Sequence, residues 1–86
     1  MYDKKYILEE IEEFNGHNDI YDDIKGAVCY PAYFNIGERG WFLWESNDWI
    51  KVHRIHTSEV QSVAYIGDEK IIVTTKNTRF VFKLKI

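Results

Sequence analysis

Apolar and polar positions change their spacing once along the chain, near Gly26. Before it, Ile7, Leu8, Ile11 and Phe14 recur at helical spacing, with Glu9, Glu10, Glu12 and Glu13 between them. This predicts an amphipathic helix begun by Asp3 and stopped at Asn15-Gly16. A second short helix is expected from Asn18 to Lys25, with Asn18 as its cap and Ile20, Tyr21 and Ile24 facing the core. After Gly26 the period falls to two. Val28, Tyr30 and Ala32 alternate with their neighbours, and Pro31 places that strand at an edge or a bulge. Gly37 to Gly40 reads as a turn, Trp41 to Glu45 as a strand and Ser46-Asn47-Asp48 as a turn. Trp49–Ile55, Glu59–Ile66 and Ile71–Lys76 follow as strands. A turn at Asn77-Thr78 leads to a last strand with Phe80, Phe82, Leu84 and Ile86 on one face.

These elements predict an α+β fold. One or two N-terminal helices precede a five- or six-stranded antiparallel sheet that curls into a small barrel. The 86 residues allow one domain, helical and acidic over 1–25 and antiparallel β over 27–86. No apolar run approaches 18 residues, so no membrane span is expected. The opening "MYDKKYILEE" carries acids where a signal peptide needs an apolar stretch, so the expected location is the cytoplasm. With one cysteine, the core has no internal disulfide to staple it.

Composition adds one functional hint. Aromatic residues make up 16% of the chain, namely three Trp, six Tyr and five Phe, which is more than one small core can hold. Some must stay at the surface, where aromatics commonly mark an interface. Charge is unevenly divided. Residues 1–35 carry three Lys against eight acids, a net of −5; residues 36–86 carry eight Lys or Arg against six acids, a net of +2. The front half predicts an acidic face made of Glu9, Glu10, Glu12, Glu13, Asp22 and Asp23. Such a face suits the Lys- and Arg-lined groove of a nucleic-acid-handling protein, or else is an ordinary solvated surface. Lys76, Arg79, Lys83 and Lys85 form a basic stripe around the last strand. It either tracks a phosphate backbone or keeps an exposed strand from aggregating. Trp41, Trp44 and Trp49 surround one hairpin and are the expected contact anchors. Phe42 and Trp44 share one face and Trp41 the other, so either the first helix covers Trp41 or it belongs to a binding surface.

Signals for catalysis and metal binding are poor. Cys29, His17, His53 and His56 lack the close-set pairs of structural zinc sites. Cys29 has no cationic neighbour in sequence to activate it and reads as a buried thiol. Ser58 and His56 lack a nucleophile elbow. The GxxG at Gly37 to Gly40 lies between strands, not between the two helices that a nucleic-acid-clamping GxxG loop joins. Neither a cofactor nor a metal nor an enzymatic reaction is therefore expected.

The segment "RIHTSEVQSVAYIGDEKIIVTTKNTRFVF" resembles the ends of small proteins from phages and mobile elements of Gram-positive bacteria. These close with a His-Thr-Ser-x-Val strand, a Thr-x-Asn-Thr/Ser turn and a final aromatic strand. The resemblance implies a phage accessory factor, such as an inhibitor of host defence of the anti-CRISPR kind. Together these readings make the expected protein a non-enzymatic binder that blocks a basic surface of a host protein. The alternative is a small barrel that takes nucleic acid or a small ligand through its aromatics and basic last strand. A third reading is an oligomer-forming component that pairs along an exposed sheet edge.

Overall fold

The computed structural model describes residues 4–46 and 52–85. It replaces the expected α+β plan with a closed, six-stranded antiparallel barrel, 64% strand and 6% helix. The strands are β1 (Tyr6–Glu13), β2 (Val28–Tyr33), β3 (Arg39–Glu45), β4 (Val52–Ile66), β5 (Lys70–Thr75) and β6 (Thr78–Leu84). Each pairs with its neighbours in sequence, and β1 returns to pair with β6.

The first expected helix is strand β1. Its apolar spacing has a physical origin: the ladder to β6 slips between Leu8 and Glu10, where Glu9 occupies a bulge. Leu8 opposes Phe82, and Ile11 opposes Phe80. The added residue lets two side chains three positions apart both face inward, which in sequence looks like a helical stripe. Of the second expected helix, one turn forms, α1 (Ile20–Ile24). The side chain of Asn18 accepts a hydrogen bond from the Ile20 N–H at 3.2 Å. Residues 4–25 are thus not a helical half; they supply one barrel strand and one capping turn. The expected start of the first helix at Asp3, the end of the last strand at Ile86 and the anchor Trp49 lie outside the described residues.

The two strands expected on either side of His56-Thr57-Ser58 are one 15-residue strand, β4. Its first half pairs with β3 and its second with β5, and irregularities in each ladder let it bend around the barrel. Inside, Phe42, Phe80 and Phe82 are fully buried with ring centroids 5.2 to 6.2 Å apart. Leu8, Ile24, Cys29, Val60 and Val73 complete the filling. Side chains occupy the axis of this barrel as they would a core.

Two glycines shape the β2–β3 connection. Gly37 sits at φ +88°, a conformation that costs other residues energy. A Cβ on Gly40 would lie 2.6 Å from the Phe34 ring and 2.8 Å from the Tyr33 carbonyl oxygen. Phe34 therefore crosses Gly40 to reach the core ring of Phe82, 5.9 Å away.

The two halves of the His-Thr-Ser and Thr-x-Asn-Thr pattern meet in space. Ser58 Oγ donates to Thr75 Oγ1 at 2.8 Å and accepts from the Asn77 N–H at 3.1 Å. Thr75 Oγ1 also accepts the Thr78 N–H and donates to the Thr78 carbonyl. Thr57 Oγ1 accepts the Gly40 N–H at 3.0 Å. The pattern that carried the resemblance is here a hydroxyl network fastening β4 to the β5–β6 turn.

Thr75→Val keeps the shape and strands the buried partners of the hydroxyl, so it should cost about 1–3 kcal/mol in urea unfolding. Gly40→Ala should cost a similar amount, about 1–3 kcal/mol, because backbone cannot yield as a flexible side chain can.

Candidate functional site

The expected acidic face does not form as predicted. β1 is a strand, and its pairing with β6 sets the acidic segment directly against the basic stripe. Arg79 and Glu12 are cross-strand partners, with Nη2 2.9 Å from Oε1. Glu9 reaches past β6 to Lys70 on β5, at 3.1 Å. Between them Val81 is only 5% exposed although it points out of the barrel. Glu10 is exposed on the outer wall. Glu13 turns to one end of the barrel, and Asp22 and Asp23 ride on α1. Lys83 and Lys85 are exposed, and Lys76 lies in the β5–β6 turn. The acids and cations expected as two separate fields are interleaved. Exposed pairs of this kind contribute little stability, but they flatten the local potential.

The tryptophans separate. Trp44 opposes Cys29, packs against the core and lies beside the His53 ring at 4.9 Å. Trp41 stands on the outside, since its neighbour Phe42 points in. The segment expected to cover it as a helix, Tyr6–Glu13, is strand β1. Instead the Arg54 guanidinium carbon lies 4.6 Å from the centre of the Trp41 ring, within cation–π range.

Strand register builds a continuous outer face around Trp41. Tyr33 and His56 oppose it on either side, and Leu43 lies between Tyr30 and Arg54. Tyr30 and Tyr33 are three apart and would face opposite ways on a regular strand. The irregularity between Pro31 and Tyr33 brings both outside. Their hydroxyls are held: Tyr30 donates to Glu45 at 2.8 Å, and Tyr33 donates to Glu38 at 3.0 Å while accepting from Asn35. Tyr33 remains 37% exposed. The face thus presents aromatic planes whose polar ends are already fixed. Sequence reading found Trp41 but missed Tyr30, Tyr33 and Arg54, because only the register and the bulge join them.

A polar cleft of about 390 Å³ lies at one end of the barrel, lined by residues that include Glu13, His17, Asn18, Tyr21, Asn77 and Thr78. Donor atoms of His17, Asp19 and Asp22 come within 4.8 Å of one another there. Both imidazole nitrogens meet carboxylates, Nδ1 at Glu13 and Nε2 at Asp22, and an exposed group of this kind is not by itself a metal site. Hydrogen bonds donated by the ring to Asp22 and Glu13 raise the His17 pKa above 6.5. Burial raises that of Tyr21, against a hydrogen bond with Thr78 that lowers it. Cys29 is fully buried, and burial pushes its thiol up to about 12. Ser58 is committed to the hydroxyl network, while His56 stands exposed against Trp41.

Comparison with family models, with curated proteins and with solved structures gives no match to this chain.

A thiolate at so high a pKa is scarce at pH 8. Cys29 should therefore react with a disulfide reagent on the order of a thousandfold more slowly in the folded protein than in urea. Equal rates in the two conditions would show that the thiol is accessible.

Proposed function

We propose that this protein is a non-enzymatic binding barrel that docks onto a partner protein through the outer face of β2, β3 and β4. The observation that carries this reading is the stack of Arg54 on Trp41, 4.6 Å apart, beside the half-exposed Tyr33. Trp, Tyr and Arg are the side chains most often found at the energetic centres of protein interfaces. Here they sit on strands, and carboxylates tether the tyrosine hydroxyls, so little side-chain freedom is left to lose on binding.

A protein partner fits the face better than nucleic acid. Glu38 and Glu45 stand at the hydroxyls of Tyr33 and Tyr30, where they repel phosphates and attract basic groups. The proposed partner is still a host protein of basic surface, with Glu38 and Glu45 in the place of the β1 acids. The strongest cationic strand, β6, lies three strands from the central strand of this face, β3, and has Arg79 paired with Glu12. A phage-type inhibitor is one protein that works this way, by covering a surface. Oligomerisation through a sheet edge is disfavoured by the closed strand order.

The test is capture from bacterial lysate on immobilised wild type, Trp41→Ala, Arg54→Ala and Lys83→Ala, with circular dichroism confirming the fold of each. A protein held by wild type and by Lys83→Ala, and reduced about tenfold or more by Trp41→Ala and Arg54→Ala, supports the reading. Equal capture by all four, or retention of nucleic acid alone, rejects it.

A further inference from the structure

Residues 14–27 run from the end of β1 to the start of β2 across one end of the barrel, and Ile20, Tyr21 and Ile24 reach down to the core. On the polar side, His17 joins the end of β1 to α1. Its Nδ1 lies 2.6 Å from Oε2 of Glu13, the last residue of β1. Its Nε2 lies 3.0 Å from Oδ2 of Asp22 on α1 and 3.6 Å from Oδ1 of Asp19. The other oxygen of Glu13 accepts the Asn18 N–H at 2.8 Å, so the carboxylate is held in place.

A ring with a carboxylate oxygen at each nitrogen is bonded on both sides only as the imidazolium. On losing its proton it keeps one N–H. The other nitrogen then turns a lone pair toward a carboxylate, and Glu13, Asp19 and Asp22 surround an uncharged ring. Among the described residues that line the cleft there is no replacement cation. From the helix segment there is the Tyr21 hydroxyl, and from the β5–β6 turn the uncharged Asn77 and Thr78. The nearby Arg79 is engaged by Glu12.

We propose that His17 is a pH-operated clasp, fastening α1 over the barrel end when protonated and releasing it when neutral. Its carboxylate partners raise the folded-state pKa above 6.5. The fastening is then fully present below about pH 6.5 and is lost as pH rises through the folded value. The ring is half exposed, so added salt weakens the clasp as well. Release loosens the edge-on contact of Tyr21 with Phe80, now 5.6 Å between centroids. The β4–β5–β6 hydroxyl network contains no titrating group and stays closed.

Proton NMR of the intact protein from pH 5 to 9 tests this. One reading is the His17 ring titration; the other is the Tyr21–Phe80 ring contact together with amide exchange at Asn18, Tyr21 and Asp22, corrected for base catalysis. The expected result is a His17 midpoint above 6.5 and a loss of contact and of amide protection, about tenfold or more, at that same midpoint. Asp22→Asn should move both midpoints down together, and His17→Gln should abolish the pH dependence of the α1 amides. A His17 midpoint at or below 6.5 overturns the proposal. So does a titration that leaves the Tyr21 contact and the amides unchanged. Neither reading depends on a partner, so failure here leaves the docking face untouched.

Discussion

Everything in this molecule depends on the pairing of its first strand with its last. Without the β1–β6 ladder the six strands form an open sheet with two edges and a half-covered layer of phenylalanines. With it, every described strand has neighbours on both sides and Phe42, Phe80 and Phe82 close on one another out of water. The contact is also the least local in the chain, so its loop entropy must be met before its packing is gained. Hairpins between neighbours form readily; the closing of the ring is the step that makes them a domain.

That same pairing explains which features were legible in the sequence. Strands β2, β3, β5 and β6 follow from alternation and turn residues, because each depends on its own few positions. β1 did not, since a bulge at Glu9 shifts its inward residues to a spacing of three and glutamates favour helices in isolation. β4 was divided in two because Thr57 and Ser58 resemble a break. Thr57 is buried and Ser58 partly so, and bonded to Gly40, Thr75 and Asn77 their hydroxyls continue the strand instead. Local propensity was outweighed in both places by partners distant in sequence.

The docking face obeys the same division. Alternation alone places Trp41 opposite Phe42 and so outside the barrel. No local pattern unites it with Tyr30, Tyr33 and Arg54, which come from two other strands and need one more bulge. Charge misled most. Counted along the chain, an acidic front and a basic back appear as two fields; wrapped into a ring, the front strand lies against the back one. Glu12 meets Arg79 and Glu9 meets Lys70, so the most uneven feature of the sequence becomes the most balanced region of the surface. What remains distinctive is the aromatic wall, centred on β3 at the far side of the ring from β6.

One end of the barrel combines two fastenings of different character. The hydroxyls of Ser58 and Thr75 and the turn at Asn77 and Thr78 are uncharged, partly or fully buried and local to β4, β5 and β6. They hold at any pH at which the chain is folded. Above them the 14–27 segment carries its polar contacts in the open, through a ring that needs its proton to bind both sides. Among the described residues the two sets meet at the turn, through Phe14 and Asn15 to Asn77 and Tyr21 to Thr78, so the cap can loosen while the ring of strands stays closed. A barrel whose core is sealed by neutral groups tolerates a charged latch on its rim. Had the imidazole been placed among the phenylalanines, the same proton would have governed the whole fold.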